Sequence, residues 1–223
     1  MVNKGSGHVD KKLVLVGGGG HCKSVLDAAL KSGEYSEIVI TDPLLTRGTS
    51  VFGCCVAGND EILPELRKQG FTYAFITVGS IKTTGLRELL ACKVSEAGFK
   101  FPVIKEASAT ISDYTQIGEG TFIGKNAVIN ADSRIGRHCI INTGCIIEHE
   151  CLIKDFAHIS VGAILCGSVN VQKNSFIGAG STLIQGITIG ENSVVGANST
   201  VLGNVKEKQI VSGIVKVFQT CKC

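Results

Sequence analysis

Residues 123–158 read, in units of six, IGKNAV INADSR IGRHCI INTGCI IEHECL IKDFAH, and this stretch predicts the fold. Each unit begins with isoleucine, and the spacing continues in both directions without a slip. The sixteen branched aliphatic positions are Ile111, Ile117, Ile123, Ile129, Ile135, Ile141, Ile147, Ile153, Ile159, Leu165, Val171, Ile177, Leu183, Ile189, Val195 and Val201. A period of six fits neither an α-helix nor an alternating strand, and it is typical of a parallel β-helix built from hexapeptides.

Two further sets of positions support this interpretation. Small side chains stand two residues before most of the aliphatics, at Thr115, Thr121, Ala127, Ser133, Cys139, Cys145, Cys151, Ala157, Ala163, Val169, Ser175, Ser181, Ser193 and Ser199, with Ile187 as the large exception. Glycine follows the aliphatic at Gly118, Gly124, Gly136, Gly178, Gly190 and Gly196. We expect the aliphatic to point inward, the small residue to fit a tight corner, and the glycine to relieve crowding or permit a left-handed backbone. Three hexapeptides would form one coil of a triangular prism.

Composition narrows the classes of function. The chain of 223 residues has a net charge of +3, and its Lys and Arg residues are scattered, so no basic stripe suggests a nucleic-acid partner. No apolar stretch has the length of a membrane span, and residues 1–10 are too polar for a signal peptide. The ten cysteines include no C-x-x-C pair, and Cys221 and Cys223 form a single C-x-C. We therefore expect reduced structural thiols, no metal and a cytoplasmic protein.

The N-terminal third has a different rhythm, in which strands alternate with helices. We expect strands at 12–16, 37–41, 73–78 and 101–104, and helices at about 22–31, 59–69 and 83–96. Such alternation predicts a small parallel α/β sheet of the Rossmann-like kind. The predicted organisation is a tail at 1–10, an α/β domain at 11–104, a β-helix at 105–205 and a C-terminal tail at 206–223.

Ligand-binding residues are expected at the carboxyl ends of the strands. Gly17–Gly20 and His21 follow the first strand, Asp42 the second and Gly79 the third. Glycines let a phosphate approach the backbone N–H groups at the start of a helix. The third glycine of a dinucleotide-binding motif is replaced by Cys22, so a nucleotide with one sugar, such as a nucleoside diphosphate sugar, fits better. The alternative is a glycine turn that only packs helix on strand.

Acid–base chemistry is predicted in the segment Glu148-His149-Glu150-Cys151. A histidine can take a proton from an attacking amine or hydroxyl, and an adjacent carboxylate can hold its ring in one tautomer. His158 lies nine residues, or half a coil, after His149, so the two should lie on different faces of the prism. They would meet only between subunits, which favours a three-fold oligomer. His138 has no such company and is expected at the surface.

The glycine-rich Gly-His turn, the α/β domain, the hexapeptide β-helix and the Glu-His-Glu-Cys segment together resemble the sialic-acid/bacillosamine O- and N-acyltransferase family. The resemblance covers about residues 11–205. Within the family, the chain is similar in pattern to the UDP-4-amino-sugar N-acetyltransferases of the bacillosamine pathway. It implies a left-handed β-helix, a homotrimer with active sites between subunits, acetyl-CoA as co-substrate and a nucleotide-sugar acceptor.

The resemblance also implies roles for individual residues. His149 matches the general base and Glu150 the carboxylate that supports it. Asn142 falls near the acceptor sugar, and His158 corresponds to a histidine that holds the acetyl-CoA thioester. The remaining matches are Gly167, whose N–H faces the thioester carbonyl, Ala179 and Ala197 along the pantetheine path, Gly19, Gly20 and His21 at the phosphates, Asp42 at the uridine, and Gly79.

The chain departs from the family pattern in two places. Cys22 stands where the family has glycine, and a cysteine there would narrow the sugar-diphosphate site. The segment 212–216 (SGIVK) lacks the proline of the family's Gly-x-Pro-Ala-Lys, which bears on contacts with the nucleotide end of the coenzyme.

The function expected from these observations is transfer of acetyl from acetyl-CoA to the amine of a UDP-4-amino-4,6-dideoxy sugar, without an acyl-enzyme on Cys151. Three alternatives remain at this point. One is O-acetylation of sialic acid or another sugar hydroxyl with the same histidine. Another is a β-helix carbonic anhydrase with zinc held by histidines between subunits, and the third is a binding or scaffold protein without catalysis.

Overall fold

A computed structural model describes residues 11–81 and 83–216, so the predicted N-terminal tail at 1–10 lies outside the described residues. The N-terminal domain has three helices, α1 (Gly20–Ser32), α2 (Leu63–Lys68) and α3 (Gly85–Glu96). Its strands are β1 (Lys12–Val16), β2 (Glu37–Thr41), β3 (Ser50–Val51), β4 (Cys54–Gly58) and β5 (Tyr73–Ile76). No helix of the described residues is long and apolar enough to cross a membrane.

The five strands form one sheet in the order β3-β4-β2-β1-β5. β4, β2, β1 and β5 run parallel, and only the short edge strand β3 is antiparallel. The predicted small parallel sheet is therefore confirmed. The sequence analysis missed β3 and β4, because they are joined through Phe52 and Gly53, both at positive φ, without a strong turn motif.

The β-helix is built from two-residue strands on three faces. The domain face, which carries the N-terminal domain, comprises β6 (Ile104–Lys105), β9 (Phe122–Ile123), β12 (Ile140–Ile141), β15 (His158–Ile159), β18 (Phe176–Ile177), β21 (Val194–Val195) and β23 (Ile210–Val211). The second face comprises β7 (Thr110–Ile111), β10 (Val128–Ile129), β13 (Ile146–Ile147), β16 (Ile164–Leu165), β19 (Thr182–Leu183), β22 (Thr200–Val201) and β24 (Ile214–Val215). The third face comprises β8 (Gln116–Ile117), β11 (Arg134–Ile135), β14 (Leu152–Ile153), β17 (Asn170–Val171) and β20 (Thr188–Ile189). All neighbouring strands are parallel and eighteen residues apart through most of the prism, which confirms the predicted parallel β-helix with three hexapeptides per coil.

The prism extends beyond the boundary expected from the sequence. β23 pairs with β21 and β24 pairs with β22, so residues 210–215 continue two faces where a C-terminal tail was predicted. The six-residue period ends at Val201, but Val211 and Val215 still pack against the core, which explains why the coil persists after the repeat is lost. Of the segment 212–216, the described structure thus places residues 214–215 in a strand, and Cys221 and Cys223 lie outside the described residues.

The interior of the prism follows the predicted pattern. From Ile123 to Val201 the aliphatic of every hexapeptide is buried, with Ile111 and Ile117 partly exposed at the first coil. The small residues at the corners are buried as well, and their hydroxyls join successive coils. Ser133 Oγ donates to Glu148 O at 2.8 Å and accepts from Cys151 N at 3.2 Å. The small residues therefore satisfy backbone groups at the corners that the short strands leave unpaired.

Two different corner positions restrict the backbone. From Ile117 to Val195, the residue three places after each aliphatic has a left-handed conformation, at Gly120, Asn126, Asp132, His138, Gly144, Glu150, Phe156, Gly162, Ser168, Asn174, Gly180, Gly186, Asn192 and Asn198. The glycines one place after the aliphatic do not. They are required by close approach instead, since a Cβ on Gly136 would lie 2.6 Å from Asp155 N of the next coil. Of the two reasons proposed for those glycines, crowding is the correct one.

The N-terminal domain packs on the domain face. Phe122 and Ile140, which point outward from the prism, are buried in one apolar cluster with α1 and the sheet. An ionic cluster reinforces this contact, with Lys125 Nζ of the prism 2.5 Å from both Asp27 of α1 and Glu106. Cys22 lies in the same apolar cluster and is fully buried, so its side chain does not narrow the glycine turn as the sequence suggested.

His138 is buried, so the expectation of a surface histidine was wrong. Its ring stacks on Phe156 and meets Phe101 edge to face, and its carbonyl accepts a hydrogen bond from Arg87 at 2.6 Å. The N-terminal domain covers this corner, and the six-residue pattern carries no signal of that cover. Burial, together with the Arg87 cation, lowers the pKa of His138 to about 4.

The close approach of coils at glycine can be tested with Gly136→Ala. The added methyl would meet backbone atoms of Lys154 and Asp155, which cannot move without separating two coils. We expect a loss of about 3 kcal/mol in the free energy of unfolding, measured by urea denaturation. Gly144→Ala is the control, because a Cβ there meets nothing within 4 Å and only the left-handed strain of about 1 kcal/mol remains. Equal losses in the two variants would contradict the explanation.

The burial of His138 predicts a loss of stability in acid. A histidine that is neutral when folded and has an ordinary pKa when unfolded contributes stability above pH 6.5, and this is lost as the pH falls toward 4, by at most about 1.4 kcal/mol per pH unit. His138→Phe removes the titration, and Phe156 shows that phenylalanine is accepted at the equivalent position of the next coil. We expect the variant to lose less in thermal midpoint between pH 7 and 5 than the wild type. The same loss in both proteins would contradict this prediction.

Candidate active site

The turn after β1 leaves part of its backbone open. Gly17 has φ +106°, and Gly18 N donates to Asp42 Oδ2 at 2.6 Å, which fixes the turn against the end of β2. A Cβ on Gly19 or Gly20 would meet nothing within 4 Å. α1 begins at Gly20, so its free N–H groups and the positive end of its dipole face this open space.

A cavity of about 310 Å³ lies over this turn, at the carboxyl edge of the sheet. Its lining includes most of the residues predicted from the strand ends and several that sequence reasoning missed. The lining residues are Gly17, Gly19, Gly20, His21, Asp42, Pro43, Leu44, Asp60, Thr77, Val78, Gly79, Leu86 and Leu90. Asp60 follows the carboxyl end of β4, where ligand-binding residues are expected. Because the sequence analysis did not predict β4, it did not identify Asp60 either.

Asp42 is engaged by the backbone around it. Besides Gly18 N on Oδ2, its Oδ1 accepts from Leu44 N at 2.8 Å and from Leu45 N at 3.2 Å. Both oxygens thus hold the two loops that border the cavity. The Asp42 side chain lines the cavity as predicted, and its hydrogen bonds hold the loops that form the cavity wall.

His21 and His158 are neutral histidines close to the same cavity. Burial, with a smaller contribution from the charge of Arg87, lowers the pKa of His21 to about 3. Its ring meets Phe122 edge to face, and its buried Nε2 has no hydrogen-bond partner among the described residues. Burial also lowers the pKa of His158 to about 4, with Arg87 adding to the effect.

His158 joins the prism to the N-terminal domain. Its Nδ1–H donates to Ser80 O at 2.8 Å, in the segment that follows Gly79, and its Nε2 lies 3.4 Å from Asn142 Nδ2. Asn142 Oδ1 accepts from Thr143 N at 2.8 Å, so the amide presents its NH₂ group to the imidazole. This arrangement defines the tautomer of His158 with the proton on Nδ1.

Arg87 is the cation that adds to the effect of burial on the pKa of His21 and of His158. Its side chain is fully buried in α3 against the domain face, and Nη2 donates to His138 O. No carboxylate of the described residues pairs with it, and its Nε and Nη1 have no partner there. Burial lowers the pKa of Arg87 to about 10, which leaves it charged at neutral pH.

His149 and Glu150 lie elsewhere, at the corner between the second and third faces. His149 Nδ1 is 3.0 Å from Glu150 Oε2, and about half of the imidazole side chain is exposed. Glu150 occupies one of the left-handed corner positions, which turns its side chain back toward the preceding histidine. When Nδ1–H donates to the Glu150 carboxylate, Nε2 carries a free lone pair that can accept a proton from a substrate.

Gly167 lies one coil after His149 and beneath its ring. A Cβ on Gly167 would be 2.6 Å from His149 Cε1, so only glycine allows the imidazole to take this position. Ser168 N donates to His149 O, whereas the Gly167 N–H makes no hydrogen bond among the described residues. A free N–H therefore stands beside the predicted base.

Ala179 and Ala197 occupy a third place, on the corner between the domain face and the second face. Both are exposed, and they are stacked on successive coils, since Asn198 N donates to Ala179 O at 2.8 Å. Asn142 and His158 lie on the same side of the prism. Asn142 is about two coils before Ala179, and His158 is about one coil before it. Within one chain, the structure brings Asn142 and His158 to Ser80, which follows Gly79 of the cavity lining, and places His149, Glu150 and Gly167 on another corner.

The cysteines at the inward corners are poor nucleophiles. Burial raises the pKa of Cys139 and Cys145 to about 12 and that of Cys151 to about 11. The eight cysteines of the described residues are unpaired. No group of three His, Cys, Asp or Glu side chains in the described parts of the chain could hold a metal ion.

Comparisons with protein-family models match three segments. Residues 12–87 match the PglD N-terminal domain, residues 114–149 the bacterial transferase hexapeptide (six repeats), and residues 169–202 the hexapeptide repeat of succinyl-transferase. No curated protein sequence matches the chain.

Solved structures of similar proteins cover nearly the whole chain. A variant of perosamine N-acetyltransferase from Caulobacter crescentus, in complex with CoA and GDP-perosamine, is 34% identical with a TM-score of 0.84, over 91% of this chain and 93% of the other. The acetyltransferase domain of PglB from Neisseria gonorrhoeae, in complex with acetyl coenzyme A, is 33% identical with a TM-score of 0.85, over 92% and 97%. WeeI from Acinetobacter baumannii, 20% identical with a TM-score of 0.80 over 91% and 97%, has the same fold. The chain therefore belongs to the bacillosamine-type family of hexapeptide-repeat sugar N-acetyltransferases with a PglD N-terminal domain.

Proposed function

We propose that the protein transfers the acetyl group of acetyl-CoA to the amine of a UDP-linked 4-amino-4,6-dideoxy sugar, with His149 as general base. The observation that carries this proposal is the corner of His149, Glu150 and Gly167, where an oriented imidazole and a free N–H stand side by side. These are the two groups that acyl transfer to an amine requires.

The cavity of the N-terminal domain is the proposed site for the nucleotide sugar. Gly19, Gly20 and His21 would receive the diphosphate, because backbone N–H groups at a helix start favour an anion. Asp42 and Gly79 border the space for the nucleoside, and the sugar would extend toward Asn142. The solved complexes of similar proteins contain CoA or acetyl-CoA, and one of them contains GDP-perosamine.

Acetyl-CoA would lie along the corner of Ala179 and Ala197, whose small side chains leave room for pantetheine. The thioester would then reach His158, which is hydrogen-bonded to Ser80 next to the cavity residue Gly79. His149 of the same chain is on another corner, so the geometry favours a site between subunits of a homotrimer, with the base and Gly167 supplied by the neighbouring prism. Reduced thiols and an acetyl-CoA requirement fit the proposed cytoplasmic location.

The proposed reaction is a direct displacement. The amine nitrogen attacks the thioester carbonyl carbon, and His149 Nε2 takes the proton that the amine loses. Gly167 N–H stabilises the oxyanion, the C–S bond breaks, and the imidazolium returns a proton to the CoA thiolate. Glu150 accepts the Nδ1–H throughout and stabilises the imidazolium. The products are the N-acetylated sugar nucleotide and CoA.

The first test measures thiol release from acetyl-CoA with UDP-, dTDP- and GDP-linked 4-amino sugars and with free sialic acid. We expect turnover on a UDP-linked amino sugar and a fall in kcat of about 10²- to 10⁴-fold in His149→Ala, with acetyl-CoA binding retained. Turnover on the hydroxyl acceptor alone would replace this proposal with O-acetylation.

Glu150 has a matched control in the same turn. Glu150→Gln should lower kcat about tenfold, because the imidazolium loses its carboxylate partner while the ring keeps a hydrogen bond. Glu148→Gln is the control. Glu148 directly precedes His149, but its carboxylate makes no contact with the imidazole among the described residues, so this variant should leave kcat unchanged. Similar losses in the two variants would mean that the turn, and not the pair, determines the rate.

The location between subunits can be tested by mixing two inactive variants. Gly20→Asp places a carboxylate in the phosphate turn without a steric contact, and His149→Ala removes the base. After co-expression, each site in a trimer takes its cavity from one chain and its base from another, so about a quarter of wild-type activity should return. If the site lies within one chain, the mixed trimers contain no intact site and stay inactive.

A further inference from the structure

The lining of the cavity in the N-terminal domain is chemically mixed. It includes the open turn at Gly19 and Gly20, where α1 begins and where the buried Nε2 of His21 has no hydrogen-bond partner among the described residues. It also includes the apolar side chains of Pro43, Leu44, Leu86 and Leu90. A diphosphate fits the open turn, and the flat faces of a nucleobase fit the apolar side chains.

Two carboxylates line this cavity, and they differ in the number of hydrogen bonds that they accept. Asp42 accepts three backbone N–H groups on its two oxygens, as described above. Asp60 accepts one hydrogen bond, from Thr41 Oγ1 to Oδ1 at 2.7 Å, and its Oδ2 accepts none from the described residues. Asp60 is therefore the carboxylate of the cavity that keeps an oxygen free for a ligand.

The position of Asp60 is fixed by its surroundings. It begins the short 3-10 turn Asp60–Ile62 directly after β4, and Asn59 caps that turn by accepting from Glu61 N. Thr41, which holds Oδ1, is fully buried at the end of β2. A side chain held by a buried hydroxyl at the end of a strand is oriented before any ligand arrives.

The distance from the phosphate turn suits a nucleoside. Asp60 follows β4, and the glycine turn follows β1, with β2 between them. Two strand spacings amount to about 10 Å. One ribose and a base, extending from a diphosphate at Gly20, span a similar distance.

We infer that Asp60 determines which nucleobase the enzyme accepts, an inference that rests on the proposed function and refines its substrate. An ionised carboxylate can only accept hydrogen bonds. It pairs with the N3–H of uracil or the N1–H of guanine, and it opposes the lone pair at the same ring position of cytosine or adenine. Asp60 thus selects bases with a ring N–H.

The test measures binding of UDP against CDP, and of GDP against ADP, to the full-length protein by calorimetry. Each pair has rings of the same size and differs in the ring N–H. In the pair that binds, the wild type should prefer the N–H-bearing member at least tenfold, or about 1.4 kcal/mol. Asp60→Asn should reduce the preference to about threefold or less, because an amide can turn to donate or to accept.

Two further variants make the test specific. Glu61→Gln, in the adjacent turn position and outside the cavity lining, should leave both affinities and the preference unchanged. Thr41→Val has nearly the same shape but lacks the hydroxyl that holds Oδ1, and it should reduce the preference part of the way. Loss of preference in Asp60→Asn with retention in Glu61→Gln is the expected result.

The possible failures are distinguishable. If nucleoside diphosphates bind but the wild type shows no preference, or Asp60→Asn keeps it, the role of Asp60 is wrong and the proposed function stands. If no nucleoside diphosphate binds the wild type, the proposed nucleotide-sugar site fails, and the inference about Asp60 fails with it.

Discussion

The stacking of parallel coils eighteen residues apart determines where every functional group of the prism lies. Adjacent strands must stay about 4.8 Å apart for the backbone ladder to form, and the corners must turn within that spacing. Glycine after the aliphatic, a left-handed residue two places further and a buried small residue satisfy this requirement together. The same spacing places Gly167 under His149, so one geometric constraint both builds the fold and supports the imidazole.

The N-terminal domain contributes a different kind of order. Its cavity depends on contacts between segments that are distant in sequence, such as Asp42 with Gly18 and His158 with Ser80. Burial, with a smaller contribution from the Arg87 cation, keeps the neighbouring histidines neutral, so His21 and His158 can act as hydrogen-bonding groups without adding positive charge. The proposed reaction leaves acid–base chemistry to His149, the histidine on the other corner, of which about half the side chain is exposed.

These differences explain what could be predicted from the amino-acid sequence. The β-helix, its inward residues and the adjacency of His149 and Glu150 follow from local pattern, and they could be predicted. The burial of His138 depends on how the N-terminal domain covers the prism. The position of Asp60 depends on the pairing of β4 with β2, which places Asp60 beside Thr41. The six-residue period contains no information on either, so the sequence analysis missed them.

The distance of one coil between His149 and Gly167 has a consequence for how such a chain can change length. A whole coil inserted or removed elsewhere leaves both residues in register, because each coil repeats the same ladder. A single added residue between them would instead shift every following aliphatic out of the interior. Within the regular coils, between Ile111 and Val201, the prism can thus be lengthened only in steps of eighteen residues, while the loops around the cavity, which belong to no ladder of coils, are free to vary one residue at a time.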